Sequence, residues 1–156
     1  MSGSTRLAPQ PPSAMSHPVT YSEGKPVLRF VVPGHPVPYA RVVPKSGGRP
    51  FQKDEARSYQ QKVAMYAHLA ARKAKWVVPA KGVRLGLVLL VYREERRSDA
   101  SNHIKIVEDG INDAGRPART KGAGSVWVDD RYVASISMGM AVSKRNPRVE
   151  VEIRVL

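Results

Sequence analysis

Three stretches decide the fold: VRLGLVLLVY at 83–92, SDASNHIKIVEDGIND at 98–113 and VWVDDRYVASISMGMAV at 126–142. The first is an apolar, largely branched run bounded by polar residues, and it predicts a buried strand. The second places apolar residues at helical spacing behind Ser98 and Asp99. It stops at Ala114-Gly115 and Pro117, which predicts a helix to about Asp113. The third predicts strand segments at 126–128 and 132–142, with Asp129-Asp130 between them.

Working outward, Val27 to Val32 is β-branched and aromatic and ends at Pro33-Gly34, so it predicts a strand. Residues 33–52 hold five prolines and three glycines with Arg41, Lys45 and Arg49, a long basic loop of the kind that often carries function. Asp54 to Ala74 predicts an amphipathic helix with Tyr59, Val63, Tyr66 and Ala70 turned to the core. Arg148 to Val155 alternates apolar and charged residues, which predicts a half-exposed final strand. The element order is β-α-β-α-β-β. It defines one compact α/β (α+β) domain, residues 25–156, with a mixed sheet and two main helices. Residues 1–24, rich in Pro and Ser, read as a disordered tail.

The chain has 156 residues, 42% of them apolar, enough for one core. It has no cysteine, which excludes a disulfide scaffold, a thiol nucleophile and a Cys-ligated zinc site. Its apolar runs are too short to span a bilayer, and no signal peptide is readable, so a cytoplasmic location is expected. The net charge is +13. Arg6 and Glu23 cancel within the tail, so the whole surplus belongs to the domain. Such a balance favours a polyanionic partner, nucleic acid first. The four histidines form no metal-binding spacing and are expected at the surface. Trp76 and Trp127 are expected as core or interface anchors.

In so basic a chain the carboxylates need a reason. Five of the six aspartates lie between positions 99 and 130. On a wheel at 100° per residue, Ala100, Ile104, Val107 and Ile111 form the expected core arc of the second helix. Asp99, Asn102, Lys105, Asp109 and Asp113 form the opposite arc, interrupted by Ile106. Phosphodiester hydrolysis needs a hard cation to hold the phosphate and acidify the attacking water, and carboxylates from separate elements can converge on one such ion. Each acid also has a plainer explanation. Asp99 suits a helix N-cap, Asp129-Asp130 suits a turn, and Asp109 and Asp113 suit a solvated face paired with Lys105.

The series Arg96-Arg97-Ser98-Asp99-Ala100-Ser101-Asn102-His103-Ile104-Lys105, then Glu108-Asp109, then Val126-Trp127-Val128-Asp129-Asp130-Arg131-Tyr132-Val133, resembles the RusA family of Holliday-junction resolvases. The family pattern is an Arg before D-x-D-N-x-x-K, a helix, and a downstream W-x-D-D. Phe30 to Pro38 is similar to the first strand and G-x-P-x-P turn of the phage members. The resemblance spans about residues 27–156 and implies a RusA-like fold. By it, Asp99 matches the first acidic ligand, Asn102 and Lys105 the Asn and Lys, and Asp130, with Asp129 beside it, the downstream Asp. Arg97 is the nearest match to the leading Arg, with one residue inserted. The implied activity is Mg²⁺- or Mn²⁺-dependent cleavage of four-way DNA junctions by a homodimer, in recombination and repair. Asp99, Asp130 and Lys105 would be catalytic. Asp99, Asp129, Asp130 and Ser101 would hold the metal. Arg97, Asn102, Arg41, Lys45, Arg49, Arg116, Arg119 and Lys121 would meet DNA.

Two departures stand out. Ser101 replaces the second motif Asp, so the expected site loses one charge. Asp109 is no direct substitute, because it lies roughly 15 Å along the helix axis from Asp99. The loop at 115–125 is longer than the family's usual connection and adds Arg116, Arg119 and Lys121. The missing Asp keeps a second reading open, a non-catalytic basic nucleic-acid-binding protein of the same fold.

Overall fold

The structure, a computed structural model, describes residues 19–22, 24–39, 54–94, 100–116 and 124–156. In chain order the elements are β1 (Val19–Ser22), β2 (Lys25–Pro33), α1 (Asp54–Lys73), β3 (Leu85–Arg93), α2 (Ala100–Asp113), a 3-10 turn (Asp130–Tyr132), β4 (Val133–Val142) and β5 (Arg148–Val155). The five strands form one mixed sheet in the order β1-β2-β5-β3-β4. β5 is antiparallel to both its neighbours, and β3 and β4 are parallel, joined by way of α2.

The core lies between the two helices and one face of the sheet. Leu28, Phe30 and Val32 of β2, Val149, Val151 and Ile153 of β5, and Leu85, Leu87, Leu89 and Val91 of β3 make its floor. Strand pairing sets them in rows, with Phe30 and Leu89 both opposite Val151. From above, α1 buries Ala56, Tyr59, Val63, Ala67 and Ala71, and α2 buries His103, Ile106, Val107, Gly110 and Ile111.

Four expectations are corrected. Val19 to Ser22 is no tail: it pairs antiparallel with Lys25 to Leu28 of β2. Its Pro- and Ser-rich surroundings hid four residues able to extend a ladder. Residues 126–128 are not a strand. Ser125 N–H donates to the Ala114 carbonyl at 2.9 Å, and the Trp76 indole donates to the Val126 carbonyl at 2.9 Å. The segment is thus pinned to the helix ends instead of to a strand, and Val126 and Trp127 fill the core.

The buried face of α2 is also turned from the expected arc. Ala100 is exposed and Ile104 half-buried, while Ile106 and His103 are buried. Packing against α1 sets this phase. A Cβ on Gly110 would lie 2.6 Å from Val63 Cβ and 3.0 Å from the Gln60 carbonyl oxygen. The helices therefore meet where α2 has no side chain. Gly115, at φ 72°, takes the left-handed conformation that ends α2.

Lastly, β5 is central and not half-exposed. Glu150 and Glu152 keep only 2% and 7% of their surface although they face away from the helices. Glu150 sits between Val31 and Leu90, its partners on either side. Glu152 accepts from Arg29 Nε at 2.6 Å and from Arg154 Nε. Arg148 donates to Glu150 at 3.0 Å and stacks its guanidinium 3.8 Å from the centre of the Tyr92 ring. Burial alone would raise the Glu152 carboxyl. The hydrogen bonds and charges of Arg29 and Arg154 outweigh it and hold the group below the ordinary glutamate value.

Two outcomes follow from this packing. Gly110→Ala gains about 1 kcal/mol of helix propensity but drives a methyl into Val63, a contact no rotamer change relieves. Overpacking of this kind costs about 1–3 kcal/mol, so the urea midpoint should fall. Because the Glu152 carboxyl is depressed on folding, it contributes stability above its unfolded pKa, about 4.3, and loses it as pH falls through the folded value. Glu152→Gln should flatten that acid limb in thermal melts taken below about pH 4.5.

Candidate functional site

The site is built where α2 ends and β4 begins. Asn112, in the last turn of α2, holds two groups at once. Its side-chain oxygen accepts from the Trp127 indole N–H at 2.6 Å, and its amide nitrogen donates to Asp130 Oδ2 at 3.0 Å. An indole only donates and a carboxylate only accepts, so the amide has one satisfying orientation. Trp127 is 1% exposed, which makes it a fixed anchor for the chain running into Asp130.

Asp129 caps the 3-10 turn that begins at Asp130. Its backbone is extended (φ −164°), and its carboxylate accepts from Arg131 N–H at 2.9 Å. Arg131 Nε lies 3.4 Å from the same carboxylate. The backbone donor first, then Asp130 and the charges of Arg131 and Arg116, hold the Asp129 carboxyl below its ordinary value. The 3-10 turn at Asp130–Tyr132 breaks the extended course of the chain at this point. Two successive residues of a straight strand would point apart.

Across from them, α2 presents Lys105, Glu108 and Asn112, spaced i, i+3 and i+7 on one face. Lys105 donates to Asp109 Oδ1 at 2.7 Å, and this bond, with the negative charges of Asp109, Asp130 and Glu108, raises the ammonium pKa against the opposing effect of burial. Glu108 is pushed up, first by burial and next by the charge of Asp130. Asp130 is therefore the centre of a small acidic group, with Lys105 and Arg116 as nearby cations. The donors are all oxygens, which suits a hard divalent ion. Among the described residues, however, no three His, Asp or Glu side chains are close enough together to hold a metal on their own.

Ser101, exposed, and Asn102, half-buried, lie at the other end of α2. There the Tyr39 N–H donates to the Asn102 carbonyl at 3.0 Å. Residues 101 and 112 are separated by ~16 Å along the helix axis. Ser101 and Asn112 thus mark opposite ends of α2. Arg116 is half-buried, and its charge is the last of the influences that lower the Asp129 carboxyl. Asp99, Arg97, Arg41, Lys45, Arg49, Arg119 and Lys121 lie outside the described residues.

Of the histidines expected at the surface, one is buried and one is half-buried. His103 is 1% exposed within the core face of α2, and His68 Nδ1 lies 3.0 Å from Ser125 Oγ. Asn112 and Glu108 carry roles that the sequence analysis did not assign. Their signal was available in the spacing 105, 108, 112, which defines a single stripe facing Asp130.

A basic α+β domain with an aspartate clamped beside further carboxylates and a lysine has the composition of a phosphodiester-cleaving protein. The match is more specific than that. The family model described as endodeoxyribonuclease RusA matches residues 33–154. The chain belongs to the RusA family, whose members act on branched DNA junctions as endodeoxyribonucleases. A search of curated proteins finds no match. No helix among the described residues is long and apolar enough to cross a membrane.

The Asn112 clamp has a direct test. Asn112→Ala strips the buried Trp127 indole of its acceptor, which should cost about 1–3 kcal/mol in urea unfolding. Trp127→Phe in the Asn112→Ala background should then add less than it does alone, as a double-mutant cycle reads out.

Proposed function

We propose that the protein is a metal-dependent endonuclease that resolves four-way DNA junctions by paired symmetric nicks, acting as a homodimer in recombination and repair. The observation that carries this reading is Asp130, fixed by the Asn112–Trp127 relay beside Asp129 and Glu108 in a chain of net charge +13. A buried indole and an amide spent on orienting one carboxylate is more than a surface turn requires.

Asp130 would hold a Mg²⁺ or Mn²⁺ ion, with Asp129 and Asp99 as the further acidic donors. The oxygen-only donor set and the absence of cysteine fit such an ion. When bound, the ion would hold the scissile phosphate and lower the pKa of the attacking water. Lys105, kept charged by Asp109 and Asp130, would stabilise negative charge on the phosphate. Asn112 would keep Asp130 from turning away. Asn102, Arg97, Arg41, Lys45, Arg49, Arg119 and Lys121 would contact the DNA backbone, in keeping with the site of a protein whose charge surplus sits on the domain itself.

Ser101 in the place of an acidic residue supports one other reading, a junction-binding protein without cleavage. Both readings require salt-sensitive binding, so cleavage decides between them. On a synthetic four-way junction with Mg²⁺ or Mn²⁺, the wild type should nick two opposed strands and EDTA should stop it. Asp130→Asn should lose nicking while retaining junction binding in gel shift. Binding without any metal-dependent nicking by the wild type establishes the second reading.

A further inference from the structure

Arg131 follows Asp130 with its backbone bound and its side chain uncommitted. Its N–H donates to Asp129 Oδ1 at 2.9 Å, which caps the 3-10 turn. Its guanidinium Nε lies 3.4 Å from Asp129 Oδ2, and among the described residues the group donates no hydrogen bond. The side chain keeps 65% of its surface. An exposed ion pair of this kind adds little to stability, because water and salt screen it.

The other cations have settled partners. Arg29 and Arg154 bond to Glu152, and Arg148 bonds to Glu150 and to the Asn146 carbonyl. Lys105, which α2 contributes to the site, is held by Asp109 at 2.7 Å. Arg131 stands at the same site with its hydrogen-bonding capacity unspent. The Tyr132 ring centre lies 5.4 Å from its guanidinium carbon, close enough for cation–π attraction to limit how the group swings. A guanidinium is a planar fork that meets two phosphate oxygens at once, which an ammonium cannot do.

We infer that Arg131 grips a backbone phosphate of the DNA strand lying at Asp130, and that Asp129 holds it in reserve until DNA arrives. The exchange trades one exposed ion pair for another, so little opposes it. Asp129 keeps its bond to the Arg131 N–H throughout, and the turn that presents Asp130 stays capped. The aspartate thus has two oxygens with two duties, one for the chain and one for the side chain it releases. This inference rests on the nuclease reading above in one respect, that the strand at Asp130 is the one cut.

The test is binding to a labelled four-way junction, followed by fluorescence anisotropy in EDTA over a range of salt. Arg131→Ala should keep the wild-type melting temperature and weaken binding about tenfold. It should also lower the salt slope by about 0.9, the share of one phosphate. Arg131→Lys should restore the slope and only part of the affinity. Asp129→Asn should tighten binding more in the wild-type chain than in Arg131→Ala, since only the former has a guanidinium to release. A junction whose nicked phosphate is replaced by an uncharged methylphosphonate should bind the wild type more weakly and leave Arg131→Ala unaffected. An unchanged slope in Arg131→Ala overturns the phosphate contact. Equal effects of Asp129→Asn in the two chains overturn the reserve. Equal effects of the methylphosphonate overturn the place of the contact beside Asp130. A wild type that nicks with neither Mg²⁺ nor Mn²⁺ overturns the nuclease reading, and the salt slopes still judge Arg131.

Discussion

The β3–α2–β4 crossover is the constraint from which the rest of the molecule follows. Parallel strands oblige the chain to travel back the full length of the sheet between them, and α2 makes that journey. Its Gly110 lets α1 approach closely, its buried stripe closes the core, and its far end supplies the amide that orients Asp130. One helix thus serves packing on one side and chemistry on the other. The same residues that fix its phase against α1 fix which polar side chains look toward the 129–130 turn.

Local pattern made much of this legible. The extents of α1, β3 and β5 follow from residue periodicity, and the mixed α+β architecture follows from their order. The phase of α2 did not follow. A wheel ranks residues by polarity, and it placed small Ala100 inward and left His103 off the core arc, whereas contact with Val63 decides the matter. The position of β5 was equally hidden. Alternation shows that a strand has two unlike faces, but it does not show that Val31, Leu90 and two arginines wall off the polar one.

At the site, Asp129 and Asp130 were visible as a pair, and the 3-10 turn they open depends on a cap seen only in three dimensions. Asn112 went unassigned because an amide near a helix end has many uses. Only the indole on one side and the carboxylate on the other reveal which use it has. The family match covers both halves of the motif without distinguishing one molecule from two.

The ion pair between β2 and β5 has a consequence for how the sheet finds its alignment. Sliding β5 by one residue would turn Val149, Val151 and Ile153 out of the core, so apolar burial alone forbids odd steps. A slide of two keeps every apolar residue inward and is not excluded that way. In the native alignment Arg29 stands directly opposite Glu152. A shift of two in one direction would set it against Arg154, like charge on like charge. A shift in the other would set it against Glu150 and strand Glu152 beside a hydrophobic neighbour. The buried charges on the outer face thus discriminate among the even-numbered alignments that greasy packing leaves degenerate.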